Sequence, residues 1–489
     1  MKTIKILFAC AVLMSFSTGC SDFLEVSPQN QLTQSSFPSN EADALAATNA
    51  VYQVLREANY HRGFYPIDDI MSDDALKGSS PGDQSGNLGP FDTFDFAPTN
   101  IFLNGWWGAL YLGVRRANVV INRVPDVEMD EALKLRYLGE ARFLRALYYS
   151  DLARGYGGVP LITSDQPDLS ALRSTLDETY ALIEDDLLFA IDALPEKSDF
   201  GNNDLGRATK GAAKALLSRV YLYMKQFDKA AALADEVVAS AQYNLEPVYF
   251  DAFRTGFEHG AESVFEIGGI GIEGTSGGGN EYVASQGVRG TPNQGFGFNR
   301  PSLDLINSFE VDDPRMQATV IFLGETIDGI LILGDTGTPD VTPDGQPETY
   351  NQKTWTGSVI PAGSRAHNRR LIRYAEVLLN GAEAHAEEGN IPQALAYLEM
   401  VRIRAREGNA SILPEITETN PTALLDLIFQ ERRHELAMEG FRFWDLVRSG
   451  RASEVLGPLG FQSNKNELLP IPQSEIDISE GRLKQNDGW

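Results

Sequence analysis

Cys20 is the residue whose chemical role is best defined by its neighbours. Lys2 and Lys5 form a short positive region, residues 6–14 form an apolar run of nine, and mostly small residues lead to Gly19. A bilayer core needs about 20 helical residues, so residues 1–19 are predicted to be a signal peptide rather than a membrane anchor. A small residue directly before a cysteine at the cleavage point is typical of a lipoprotein, because the thiol accepts diacylglycerol before cleavage. Lipidation is therefore predicted at Cys20.

One position departs from the usual lipoprotein pattern. Leucine is usual three residues before the cysteine, and Ser17 stands there. The alternative interpretation is ordinary secretion, with Cys20 as a chance residue. The other cysteine of the chain, Cys10, lies within the signal, so the mature chain cannot form an internal disulfide and depends on its core alone for stability. Residues 20–40 are polar, and we expect a lipidated spacer there.

Two short motifs would indicate a bound cofactor or metal, and neither is complete. Residues 269–274 have the glycine spacing of a dinucleotide fingerprint and follow a strand-like segment at 263–267. The glycine-rich residues 275–280 cannot continue the helix whose N-terminus would meet a pyrophosphate. Residues 340–351 resemble the start of a calcium loop, but Asn351 stands where a bidentate glutamate is needed. We therefore expect neither a cofactor nor a metal.

The histidines do not form a catalytic or zinc-binding motif. His434 precedes Glu435, but no histidine follows four residues later, as a zinc protease requires. Hydrolysis by two carboxylates stays open, because 68 acidic residues give many pairs and the required separation is spatial. The charged run 431–448 combines Glu435 and Glu439 with several arginines, which predicts ion pairs that tie a helix to its neighbours.

Helical periodicity dominates the rest of the chain. Apolar residues recur at helical spacing from Leu133 to Tyr148, and residues 175–178 form a capping box that opens another helix, closed by Pro195. Further helices are predicted from residue 39 or 40 to about 57 and over 105–122. The fold class is predicted to be mainly α.

Two segments carry a tetratricopeptide-like pattern, in which small residues let paired helices approach closely. One runs from Leu217 to Ala230 and the other from Ala382 to Ala394. Because Ala230 and Ala394 lie 164 positions apart, the helix pairs do not form a regular tandem array and must be interrupted by long insertions.

Three such insertions are rich in residues that favour loops. They lie near 58–104, 268–300 and 334–369, within one domain at 41–489. Loops of this length in a compact domain are usually functional or disordered, so we expect the binding surface there. The net charge of −27 disfavours nucleic acid and anionic lipid as partners, since both require basic patches.

Motifs along the whole chain resemble those of the SusD/RagB family of nutrient-binding outer-membrane lipoproteins. The segments that carry the resemblance occur in the family's order and are Cys20–Glu25, Trp107–Asn118, Glu140–Tyr149, Tyr156–Leu161, Gly206–Ala212, Asp312–Arg315, Arg373–Leu379, Glu431–Arg442, Leu469–Pro472 and Gln485–Asn486. The resemblance implies a helical fold with tetratricopeptide-like pairs beneath a variable, loop-rich surface. It also implies capture of a glycan or oligosaccharide outside the cell and its transfer to a TonB-dependent, SusC-like barrel in the outer membrane.

Ligand contacts in such proteins come from the variable loops, so the motifs do not supply them. A sugar presents apolar C–H faces and hydroxyl groups, and its site needs flat aromatic rings flanked by polar side chains. The residues that fit best are Tyr60, His61, Phe64, Tyr65, Asp73, Asp74 and Trp355. Further loop aromatics that could complete a stacking platform are Tyr282, Phe296, Phe298 and Tyr350, whereas Trp106 and Trp107 are assigned to the core.

The sequence therefore predicts a non-enzymatic, lipid-anchored binding protein of the cell surface. A glycoside hydrolase is the first alternative, and release of reducing sugar would support it. A helical-repeat adaptor with only protein partners is the second alternative, and it predicts no change in melting temperature with any glycan.

Overall fold

The structure of the protein is a computed structural model, which describes residues 37–166, 170–269, 281–335, 347–357 and 367–489. Cys20, the predicted signal peptide and most of the predicted spacer lie outside the described residues.

Helices make up most of the described chain. The α-helices are α1 (Glu41–Val54), α2 (Ala58–Phe64), α3 (Gly89–Asp92), α4 (Ile101–Arg123), α5 (Glu131–Tyr156), α6 (Leu176–Ala193), α7 (Lys210–Tyr223), α8 (Phe227–Ala239), α9 (Glu281–Gln286), α10 (Leu303–Ser308), α11 (Pro314–Thr319), α12 (Tyr374–Glu387), α13 (Ile391–Ala405), α14 (Pro421–Glu435), α15 (Arg442–Arg448), α16 (Ala452–Leu456) and α17 (Gln473–Ile478). A π-helix over Tyr65–Ile70 directly continues α2. The mainly α prediction is confirmed.

Short strands pair in antiparallel twos. The strands are β1 (Ala75–Gly78), β2 (Ser263–Ile267), β3 (Phe298–Pro301), β4 (Val320–Phe322), β5 (Thr326–Ile327), β6 (Ile330–Leu331), β7 (Thr349–Asn351) and β8 (Arg369–Arg373). The pairs are β1–β3, β2–β8, β4–β7 and β5–β6. Because β2 pairs antiparallel with β8, it is not part of a parallel βαβ unit, which agrees with the rejection of the dinucleotide fingerprint that follows it.

The helix ends follow the capping signals in the sequence. Asn40 accepts a hydrogen bond from the backbone N–H of Asp43 at 3.0 Å and begins α1. Thr175 and Glu178 form the predicted capping box of α6. Helix α5 ends at Gly157, whose φ of 75° is readily adopted only by glycine.

The two tetratricopeptide-like pairs are α7 with α8 and α12 with α13, as predicted. A side chain at Gly381 of α12 would put its Cβ 2.8 Å from the Tyr397 ring of α13 and 3.1 Å from Cβ of Ala234 of α8. Helix α12 therefore approaches both helices at a position where only glycine fits. The two pairs pack against each other although a long insertion separates them in the sequence.

The N-terminal helices pack around one buried ring. Tyr148 of α5 donates a hydrogen bond to the carbonyl of Val51 in α1 at 2.8 Å. A Cβ at Gly113 of α4 would lie within the contact radius of the same ring. This close approach fixes α4 against α5. Among the described helices, none combines the length and apolar character of a membrane span.

Buried ion pairs tie the C-terminal helices to the rest of the protein. Glu435 at the end of α14 is fully buried and pairs with Arg315, Arg373 and Arg404. Burial alone would raise its pKa, but these guanidinium groups, Arg404 first, lower the pKa to about 2. The structural role of the charged run is confirmed, but its arginines Arg432, Arg442 and Arg448 pair with other carboxylates than Glu435 and Glu439. The partners of Glu435 are distant in sequence, because the chain folds three other elements onto this helix end.

Candidate functional site

A cavity of about 490 Å³ opens between the first two predicted insertions. Its volume falls within the roughly 300–1,000 Å³ of sites that take small molecules. The residues that line it are Asn59, Tyr65, Asp83, Gln84, Ile101, Phe102, Gly105, Glu281, Ser285, Phe296 and Phe298. Apart from Gly105, all of them come from the insertions near 58–104 and 268–300.

The rim of the cavity carries apolar groups that are open to solvent. Phe296 is 50% exposed and Ile101 is 58% exposed, whereas Phe298 is half-buried. The backbone N–H of Phe296 donates to the carbonyl of Ala284 at 2.9 Å, so the ring is carried by a fixed backbone. Exposed aromatic surface beside a cavity provides a face on which a flat apolar ligand surface can stack.

One polar wall is built by the turn that follows β1. The ammonium group of Lys77 donates to three carbonyls of this turn, those of Gly78 at 2.8 Å, Ser80 at 3.0 Å and Asp83 at 3.0 Å. The turn is thereby wrapped around a single cation. The turn includes Gln84, which has a φ of 52° and lines the cavity together with Asp83.

Asp83 is held in its ionised form. Its carboxylate accepts hydrogen bonds from the Arg289 guanidinium and from the Ser79 hydroxyl, the latter at 3.0 Å. These two donors lower the pKa of Asp83. Arg289 also pairs with Asp335 at 3.1 Å. The wall therefore presents an acceptor whose charge is matched by a neighbouring cation.

A buried amide network holds the opposite wall, which α9 provides. The side-chain oxygen of Gln286 in α9 accepts from Asn299 at 2.8 Å and from Asn351 at 2.9 Å. Asn299 also donates to Asp69 of the π-helix at 2.9 Å. These contacts join all three predicted insertions. Burial raises the pKa of Asp69 to about 7 despite the donor groups around it.

Of the predicted ligand-binding residues, Tyr65 lines the cavity. Tyr60 and His61 are not among its lining residues, and their exposed fractions of 2% and 1% are similar to the 2% of Tyr65. The hydroxyl of Tyr60 donates to Asp151 at 3.3 Å, and burial lowers the pKa of His61. Tyr60 and His61 lie on helix α2, which packs closely against α4 because Gly63 places no side chain between the two helices. The ring faces of Tyr60 and His61 that were expected to stack on a sugar are therefore covered.

The predicted carboxylates and tryptophan are also occupied within the protein. Asp73 makes two hydrogen bonds of 2.8 Å with Arg442, and Asp74 pairs with Arg433 at 2.7 Å. Trp355 is 4% exposed and lies in a separate apolar cluster. Asp73, Asp74 and Trp355 therefore do not line this cavity, and their contact with a ligand stays a prediction; in the structure they serve to fold the insertions themselves.

Other predicted positions divide between core, cavity and undescribed chain. Trp106 and Trp107 are buried, as predicted, and so are Tyr282 and Tyr350. The side chain of Phe64 and most residues of the two incomplete motifs at 269–274 and 340–351 lie outside the described part. Among the described residues, no three His, Cys, Asp or Glu side chains converge as a metal site would require.

The residues missed from the sequence are the polar ones of the cavity. Asn59, Asp83 and Gln84 stand in segments with the composition of ordinary turns. The turn that contains Asp83 and Gln84 lies beside the aromatic rim only because β1 pairs with β3, where Gly78 is the partner of Phe298. That pairing spans more than 200 residues and leaves no local signal.

A helical base that carries a cavity with an aromatic rim and polar walls is the arrangement expected of a small-molecule binding protein. Residues 261–489 match the model of the SusD family, and residues 22–222 match a model described as starch-binding and associating with the outer membrane. SusD-like protein P2 of Formosa agariphila is 30% identical over 100% of both chains. The chain belongs to the SusD family.

Solved structures of this family share the fold. A laminarin-binding SusD-like protein is 30% identical, with a TM-score of 0.76 over 92% of this chain and 100% of its own. Surface glycan-binding protein A from Bacteroides thetaiotaomicron, in complex with laminarihexaose, is 26% identical, with a TM-score of 0.76 over 92% of this chain and 100% of its own.

Proposed function

We propose that this protein captures an oligosaccharide in the cavity between its first two insertions. The observation that carries the proposal is the combination of an exposed ring, Phe296, with the side chains of Asp83, Gln84 and Asn59 around one opening. A pyranose offers an apolar face to the ring and hydroxyl groups to the carboxylate and amides. The same helical base carries carbohydrate sites in the laminarin-binding and laminarihexaose-bound relatives.

The relatives also suggest the first ligand to test. Both of those structures are described with laminarin or its hexasaccharide, and both cover more than nine-tenths of this chain. Laminarihexaose is therefore the probe with which binding is measured.

We extend the proposal to the site of action. The signal sequence and Cys20 support a lipid anchor on the outer membrane, facing the cell exterior, with residues 20–40 as its spacer. Family membership supports transfer of the ligand to a SusC-like, TonB-dependent transporter. The prediction is that Cys20→Ser abolishes incorporation of labelled fatty acid into the protein and its recovery with the outer-membrane fraction.

Asp83, one of the two carboxylates that line the cavity, suits binding rather than the acid role in hydrolysis. Glycoside hydrolysis needs a carboxylic acid whose pKa is raised so that it can protonate the leaving group. Arg289 and Ser79 instead lower the pKa of Asp83. Asp83 is therefore suited to accept hydrogen bonds from sugar hydroxyls.

Calorimetry with laminarihexaose, followed by chromatography of the incubated sugar, tests this function. We expect saturable binding and an unchanged hexasaccharide. Appearance of shorter sugars would favour the hydrolase. The absence of binding and of any melting shift across a panel of glycans would favour the adaptor with only protein partners.

A further inference from the structure

We propose that the cavity selects uncharged saccharides and rejects anionic ones, such as uronate or sulfated oligosaccharides, with Asp83 as the residue that determines this specificity. The inference rests on the proposed function and adds to it the chemical class of the ligand.

Among the described residues, the surface that a ligand would touch carries negative but no positive side chains. Asp83 and Glu281 are its charged members, and none of the described residues that line the cavity is a lysine or an arginine. Anionic ligands are recognised by guanidinium or ammonium groups that are open to them. The described lining instead offers carboxylate and amide groups, which suit hydroxyls.

Lys77 is close to this wall, but its ammonium group is already used by the protein. Its three hydrogen bonds to the carbonyls of Gly78, Ser80 and Asp83 match the three donors of an ammonium group. A ligand anion could recruit Lys77 only by opening the turn that shapes the wall.

Arg289 is likewise engaged on both sides of its guanidinium group. One side contacts Asp83 and the Ser79 hydroxyl, and the Nε atom contacts Asp335. Two carboxylates therefore surround one guanidinium group at this edge of the cavity. A carboxylate or sulfate on a sugar would add a third negative charge where one cation is present, which is repulsive at short range.

Binding of matched neutral and anionic hexasaccharides measures the selectivity. Laminarihexaose and its C6-oxidised form, a glucuronic acid hexamer with the same linkage, are titrated into the protein at low ionic strength. We expect the uronate to bind at least tenfold more weakly. Its affinity should rise with added salt, because salt screens the repulsion, whereas that of laminarihexaose should not change.

Asp83→Asn tests the assigned residue. The substitution removes one carboxylate and releases Arg289 toward the cavity, so the ratio of neutral to anionic affinity should fall at least threefold. Asp426→Asn is the matched control, because Asp426 also pairs with an arginine, Arg451, at an exposed site outside the cavity. It should leave the ratio unchanged.

The outcomes separate the inference from the function it rests on. Equal or tighter binding of the uronate, or a salt dependence of the opposite sign, overturns the selectivity and leaves saccharide binding intact. An unchanged ratio in a folded Asp83→Asn variant overturns the role of Asp83. Failure of both sugars, and of every other glycan tested, overturns the proposed function as well.

Discussion

Removal of the Phe296 ring should weaken saccharide binding without destabilising the fold. An aromatic side chain has roughly 200 Å² of surface. Since Phe296 is 50% exposed, about 100 Å² is available to a ligand. A sugar that stacks on one face covers about half of that area, and at about 25 cal/mol per Å² this stabilises the complex by about 1.2 kcal/mol. Phe296→Ala should therefore raise the Kd for laminarihexaose about eightfold.

Isothermal titration of the wild type and two variants provides the assay. Phe257→Ala is the control, because Phe257 is also a partly exposed ring, at 38%, but does not line the cavity. Its Kd should stay at the wild-type value. Both variants should unfold within about 0.5 kcal/mol of the wild type, as surface substitutions usually do. A Kd within twofold of the wild type for Phe296→Ala would refute the stacking argument.

Three further predictions concern the frame that holds the cavity. Gly113→Ala should lower the free energy of unfolding by about 1–3 kcal/mol, because the new Cβ meets a buried ring. Gly108→Ala in the same helix has open space around its Cβ and should raise the free energy of unfolding by up to about 1 kcal/mol. Urea denaturation measures both changes. Arg373→Met should cost about 3–5 kcal/mol by the same assay because it leaves buried carboxylates uncompensated, and Arg451→Met, at an exposed pair, should cost less than about 1 kcal/mol. Asp69 has a pKa raised to about 7, so the folded state holds a proton that the unfolded state releases above about pH 4. The unfolding free energy of the wild type relative to Asp69→Asn should therefore fall between pH 4 and 7 and level off above pH 7. A rise between pH 4 and 7 would contradict the assignment.

The helical frame could be predicted from the sequence because its signals are local. The capping box at residues 175–178 and the glycine that ends α5 act within one or two helical turns. The small residues of the segments from Leu217 to Ala230 and from Ala382 to Ala394 likewise indicate close helix approach from their own spacing. Each of these features depends on residues that are close together in the sequence.

The location of the cavity was predicted only at the level of the insertions. Of the predicted ligand-binding residues, Tyr60, His61 and Trp355 do not line this cavity and are rings that the insertions use to pack themselves. Composition does not distinguish a ring that packs from one that binds, because both occur in segments rich in polar residues. The distinction depends on contacts such as that between Gly78 and Phe298, which are distant in sequence.

A crystal structure of the protein with laminarihexaose tests the central claim most directly. We expect ordered sugar density in the cavity, with one pyranose against the Phe296 ring and hydroxyl groups within hydrogen-bond distance of Asp83 or Gln84. Density for the sugar on another surface, with the cavity empty at saturating ligand, would contradict the account.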